Sequence, residues 1–147
     1  MTEIKFTILQ CPTGKKAPHH TRSGITYSSK EQKYNENALI TEMLPYRPSE
    51  PITDPIELNV DLYFPVPNSK PAWWRNAALG THIHYDKKPD YDNCLKNLCD
   101  CLEKLQFIKN DSQIFFSVVS KAYSDKPRWE VRIVIRPNTT RKEWEKI

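Results

Sequence analysis

Glycine is scarce in this chain, three residues in 147 against 12 prolines. That imbalance points to stiff, irregular connections rather than floppy linkers. Long hydrophobic runs are missing too: nothing approaches the roughly 18 apolar residues needed to cross a bilayer. The opening Met1-Thr2-Glu3-Ile4-Lys5 has no basic region followed by an apolar one, so a soluble protein that stays where it is made is expected, with no membrane partner. Cys11, Cys94, Cys99 and Cys101 lack the CxxC spacing of zinc sites. Three of them fall in one expected helix, which predicts reduced, mostly buried thiols. Repeats, heptad arrays and low-complexity tracts are also absent.

What is present suits one packed domain covering 1–147. The length fits a single core, and the hydrophobic fraction of 38% includes four Trp, seven Tyr and five Phe. A formal charge of +4 fits a polyanionic partner without requiring one.

Periodicity predicts the elements. Ile4, Phe6 and Ile8 alternate with polar residues over 4–9, as in a half-buried strand. Residues 12–33 carry Lys15, Lys16, Arg22, Lys30 and Lys33 against the single acid Glu31 and read as an exposed basic loop entering a helix. That helix is expected over about 29–44, capped by Ser28 or Ser29, with Leu39, Ile40, Met43 and Leu44 toward the core. After a proline-rich connection, Ile56, Leu58, Val60, Leu62 and Phe64 give the clearest strand pattern. Residues 68–88 read as a surface excursion holding a short helix. Leu95, Leu98, Leu102 and Leu105 form one apolar stripe of a helix entered through Pro89-Asp90-Tyr91-Asp92. Strands over about 113–123 and 129–136 follow, expected to pair as a hairpin through Ser124-Asp125-Lys126-Pro127. The last ten residues read as a frayed or docked tail. The order predicts an α+β fold: a compact domain with a mixed or antiparallel sheet packed against two main helices.

The chemistry concentrates in Lys87-Lys88-Pro89-Asp90-Tyr91-Asp92-Asn93, then Lys96, Asp100 and Asn110-Asp111-Ser112. Clustered carboxylates stay ionised at neutral pH when a cation compensates them, and Mg²⁺ takes one or two such groups plus water and phosphate oxygens. Such a site lowers the pKa of an attacking water and neutralises charge on a phosphodiester. Lys96, one turn after Asp92, adds a positive charge on the same face. Convergence of Asp111 on Asp90 and Asp92 is a premise of this reading, because a helix of about 13 residues is roughly 20 Å long and the chain must return along it. The same residues also fit a plain reading, with Asp92 as a helix cap and Asp92, Lys96 and Asp100 as an i,i+4 charge ladder.

Lys88-Pro89-Asp90-Tyr91-Asp92-Asn93, Leu95-Lys96, Leu98, Asp100, Leu102 and Asp111-Ser112-Gln113-Ile114 together resemble the signature of the RusA family of Holliday-junction resolvases. The resemblance is strong over about 86–123 and rests on pattern alone in the flanking strands. It implies a homodimeric α+β nuclease that cuts four-way DNA junctions with Mg²⁺, or Mn²⁺ in its place, in recombination and repair. It further implies a cytoplasmic protein of bacterial or phage origin. Carried over by position, Asp90, Asp92 and Asp111 match the metal-binding acids and Lys96 the essential lysine. Two departures stand out: Asn110 replaces an acidic residue, and Lys15-Lys16-Ala17-Pro18-His19-His20 replaces an arginine-rich loop.

Other features carry chemistry of their own. His82, His84 and Asp86 imitate a metallohydrolase motif whose last histidine is Lys87 here. Trp73, Trp74 and Arg75 fit stacking on unpaired bases or anchoring in a core. Lys15, Lys16, Arg22, Lys70, Arg75, Lys87 and Lys88 fit phosphate contacts if they share a face, and a solvated surface if they do not. The rival functions are a catalytically silent branched-DNA-binding module and a less selective flap or branched-DNA nuclease.

Overall fold

A computed structural model describes residues 2–27 and 29–147, so the candidate cap Ser28 lies outside the described residues. Strand β1 (Glu3–Ile8) opens the chain and is followed by the two-residue strands β2 (His19–His20) and β3 (Thr26–Tyr27), which pair with each other inside the basic loop. Helix α1 (Lys30–Met43), strand β4 (Ile56–Phe64), helices α2 (Ala72–Leu79) and α3 (Tyr91–Lys104), strands β5 (Ile114–Tyr123) and β6 (Arg128–Ile135), and the short helix α4 (Arg141–Trp144) complete it. The main sheet is mixed, ordered β1-β6-β4-β5, with β4 parallel to β5 and antiparallel to β6. The α+β architecture expected from the sequence is present.

One face of that sheet makes the core. Ile4, Phe6 and Ile8 of β1, the five apolar residues of β4, and Trp129, Val131 and Ile133 of β6 are all buried against Leu39 and Met43 of α1 and Leu98 and Leu102 of α3. Removing a Leu or Ile side chain of this kind from water stabilises by about 1.5–3 kcal/mol, and strict alternation sends every apolar residue of β4 to the same side. The opposite face carries Glu57, Asn59, Asp61, Glu130 and Arg132 and stays wet.

The sequence misleads in two places. Strands β5 and β6 are not a hairpin, because β4 lies between them. Ser124 N–H donates to Phe64 O at the end of β4 (2.8 Å), and the Arg128 guanidinium sits 3.9 Å over the Tyr63 ring, so the connection 124–127 wraps the end of β4. Strands sit about 4.8 Å apart, and four residues easily reach across one intervening strand. Leu44 is half exposed, since the chain leaves the α-helical path there into a 3-10 turn, Leu44–Tyr46, carrying Pro45. The C-terminal tail ends in a turn of helix, with a capping box in which Thr140 and Glu143 satisfy each other's backbone N–H.

Candidate active site

Helix α3 is positioned from both sides. Its buried stripe holds Cys94, Leu98, Cys101 and Leu102, and on the same face lies Asn97, fully buried. Asn97 Nδ2 donates to Thr13 O (3.1 Å) and Thr13 Oγ1 (3.2 Å), while its Oδ1 accepts from Gln32 Nε2 (3.1 Å). Gln32 Oε1 in turn accepts from Lys16 N–H (2.7 Å), and Lys15 N–H donates to Asn93 O (3.1 Å). A buried amide costs little when its polar atoms are paired this way, and here the pairing fixes the basic loop against the first half of α3. Gly14 permits the approach: a Cβ there would stand 3.0 Å from Pro89 Cβ and 3.3 Å from Asn93 Cβ.

The loop before α3 is anchored to the sheet. The Tyr85 ring stacks on Phe64 (centroids 3.9 Å) and meets Tyr123 edge-on (5.0 Å), and its hydroxyl donates to Lys88 O (2.6 Å). Lys121, on the helix side of β5, donates from Nζ to Lys87 O (2.7 Å) and Pro89 O (2.9 Å) and lies 4.9 Å over the Tyr85 ring. Sequence reasoning missed Lys121, Asn97, Gln32 and Gly14. The available signal was a lysine at an inward position of a strand and an asparagine on an apolar helix face.

These contacts set the acids. Asp90 is the N-cap of α3, yet its side chain makes no capping bond, and Asp92 lies in the first turn. The plain reading of Asp92 as the cap therefore shifts to Asp90. Both carboxylates are exposed at the positive end of the helix dipole. Lys96 is exposed one turn further on. The charge ladder does not form: Asp100 pairs with Lys15 instead, and that contact holds the Lys15 ammonium above its ordinary pKa.

Asp111 is placed elsewhere. Its N–H donates to Glu103 Oε1 (2.7 Å), beside the last turn of α3. Asn110, where an acid was expected, caps the short turn Asp111–Gln113 by accepting from Ser112 N–H (2.8 Å). Gln113 locks that turn, donating to Ile52 O and Asp54 O and accepting from Lys109 and Asn110. From Asp92 to Glu103 the helix rises about 17 Å, so the return of Asp111 to Asp90 and Asp92 does not occur within one chain. The cause is topological: β5 begins where α3 ends. Among the described residues no three His, Cys, Asp or Glu gather to hold an ion.

Two clefts flank Asp90 and share Lys88 and Pro89. The first, about 470 Å³, is lined by Lys15, Lys16, Lys88 and Asp90 among others; the second, about 590 Å³, by Lys70, Trp74, Lys87 and Lys88. Arg22, in the turn between β2 and β3, and Arg75, on α2, line neither. Trp74 packs edge-on against Tyr123, whereas Trp73 is 69% exposed. His82 and His84 are exposed and, among the described residues, join no ion-holding group. Cys94, Cys99 and Cys101 are buried free thiols and Cys11 is an exposed one.

A mixed four-stranded sheet backed by α1 and α3, with an Asp-x-Asp pair at a helix entry between lysine-lined clefts, defines an acidic site on a basic α+β scaffold. The family model described as Endodeoxyribonuclease RusA matches residues 10–134, and the chain belongs to that family. It is 34% identical over 137 residues, 88% of this chain and 94% of the relative, to "Uncharacterized protein YqaN" of Bacillus subtilis (strain 168). It is 29% identical over 101 residues, 67% of this chain and 70% of the relative, to "Crossover junction endodeoxyribonuclease rusA" of Lactococcus phage r1t.

Proposed function

We propose that the whole chain is one nuclease domain that acts as a homodimer in the cytoplasm, cutting four-way DNA junctions by paired phosphodiester hydrolysis in recombination and repair. The observation that carries this reading is the Asp90–Asp92 pair at the entry of α3, presented between two clefts that share Lys88, in a member of the RusA family. Two sites related by a twofold axis suit a substrate with twofold character.

Asp90 and Asp92 fit a hard divalent ion, Mg²⁺ or Mn²⁺. Their exposed carboxylates have no side-chain hydrogen bond or ion pair among the described residues, and such an ion takes one or two carboxylates with water and phosphate oxygens. When bound, it supplies water activation and charge neutralisation at the scissile phosphate. Asp111 is the third acid of the set. Lys96 holds a fixed positive charge toward the phosphate oxygens. Lys15, Lys16, Lys70, Lys87 and Lys88 in the clefts, with Arg22 and Arg75 further out, bind the DNA backbone, and binding then weakens steeply with salt.

Comparison of labelled four-way junction, flap and linear duplex in Mg²⁺ tests the substrate. Paired nicks in the four-way junction at rates well above the other two support the proposal. Equal cutting of flap and junction would show a general branched-DNA nuclease, and tight junction binding without cutting would show a silent binding module.

A further inference from the structure

The second of the two clefts beside Asp90 is aromatic in a way that phosphate binding leaves unexplained. Phe64, Trp74, Tyr85 and Tyr123 line it together with the exposed Lys70, Lys87 and Lys88. A DNA backbone uses the lysines and gains nothing from the rings. The rings brace one another: Tyr85 lies flat on Phe64 (3.9 Å between centroids), and Trp74 and Tyr85 both meet Tyr123 edge-on (5.4 and 5.0 Å). At about 590 Å³ the cleft falls within the roughly 300–1,000 Å³ of ordinary small-ligand sites.

Trp74 is the ring a ligand can reach. Its edge is fixed by Tyr123, it is only half-buried, and the Lys70 ammonium stands 4.8 Å over it at the end of an exposed side chain. A cation over an exposed ring gains a factor of about 2–5 in occupancy, whereas a nucleobase stacked on an aromatic side chain gains about 5–150-fold. A base therefore displaces Lys70 from the ring, and the freed ammonium remains beside it for the phosphate. Lys88 and Pro89 line both clefts, so the aromatic one adjoins Asp90 directly.

We propose that this cleft binds one unpaired nucleobase from the branch point, stacked on Trp74, while the lysines hold its backbone and the adjoining strand runs on to Asp90. This rests on the nuclease reading above and deepens it by adding a base subsite beside the acids. Bases that are already unpaired or poorly stacked cost least to draw out of a helix. A branched DNA offers such bases and an intact linear duplex does not, so the subsite favours branched substrates. Every base has a π-face, so the cleft selects structure rather than sequence.

The test is a cycle between protein and DNA changes. Four-way junctions are made intact or with a single abasic nucleotide, placed in turn at each position flanking the branch point, and Kd is measured in chelator so that nothing is cut. Trp74→Leu keeps apolar bulk against Tyr123 without a π-face, and Trp74→Phe keeps a π-face. At one position the ratio of abasic to intact Kd should be roughly 10-fold larger for wild type than for Trp74→Leu. Elsewhere the two ratios should agree, and Trp74→Phe should follow wild type. A merely structural Trp74 would weaken all junctions by one factor and leave every ratio unchanged, which overturns the subsite. A second measurement needs no variant: Cys11 is an exposed free thiol lining the same cleft. Its alkylation by N-ethylmaleimide at pH 8 should slow when wild type is saturated with the intact junction, and that protection should be lost with the junction abasic at the identified position. Equal protection by both junctions, or by linear duplex, means that backbone alone covers the cleft and overturns the proposal. Either failure leaves junction cutting in Mg²⁺, and with it the nuclease reading, untouched. Base-dependent coupling in a protein that cuts no junction in Mg²⁺ would overturn the nuclease reading and uphold the subsite.

Discussion

Replacing Asn97 by leucine keeps the branched outline of the side chain, though with bulkier methyl ends, and removes three hydrogen bonds at once. Gln32, 4% exposed, then loses the acceptor for its Nε2, and the Thr13 carbonyl loses its donor. An unpaired buried amide costs about 1–3 kcal/mol. Taking about 2 kcal/mol, and about 2–4 °C per kcal/mol for a chain of this size, the melting temperature should fall by roughly 4–8 °C. The same network holds Lys16 through Gln32 Oε1, so the basic loop should detach from α3 as well. Junction affinity measured across a salt series should then fall, and the slope of log K against log salt should flatten by up to about 2 as Lys15 and Lys16 lose their phosphates. The assays are thermal unfolding by circular dichroism and fluorescence-anisotropy titration. A variant that melts within about 1 °C of wild type, with an unchanged salt slope, would refute the claim that this amide network sets the loop.

Lys121→Met should leave two carbonyls before Asp90 without their charged donor and lower single-turnover junction nicking by roughly 10-fold, at about 1.4 kcal/mol per decade; equal rates would remove Lys121 from the positioning of the loop. Burial pushes the thiols of Cys94, Cys99 and Cys101 up to about 12. At pH 8 a thiol reagent should therefore label Cys11 well before the other three, which should react together on unfolding. Because these folded-state values lie above the ordinary 9.0, the stability they contribute is complete below pH 9 and is lost as pH rises toward 12, so the urea midpoint should fall over that window. Trp73→Ala should change stability by less than about 0.5 kcal/mol, and Trp74→Ala, which breaks the edge contact with Tyr123, by about 2 kcal/mol; the reverse order in urea unfolding would contradict the packing of α2.

Much of this was legible in the sequence because burial is one-sided. The alternation in β4 and the leucine stripe of α3 each state which face meets the core, and the structure buries those faces. Pairing was less legible: the short link from β5 to β6 read as a hairpin, but β4 occupies the place between them. Sequence proximity constrains how far a chain travels and says little about which strand fills a two-strand gap. At the site, the Asp90–Asp92 pair was readable as residues, and so was Lys96. The distance to Asp111 was not, since it depends on β5 starting at the far end of α3. The supports were hidden for a related reason: Asn97 and Lys121 are polar groups at inward positions, where a periodicity argument expects apolar ones.

The central claim is that the carboxylates at the entry of α3 carry out metal-dependent cutting of branched DNA. Its most direct test is nicking of a labelled four-way junction by wild type and by Asp92→Asn, each with Mg²⁺ and with chelator, with binding followed in parallel. The account predicts symmetric nicks from wild type that vanish with chelator, and an Asp92→Asn protein that binds the junction at least as tightly but does not cut it. Undiminished cutting by Asp92→Asn, or cutting that survives chelation, would contradict it.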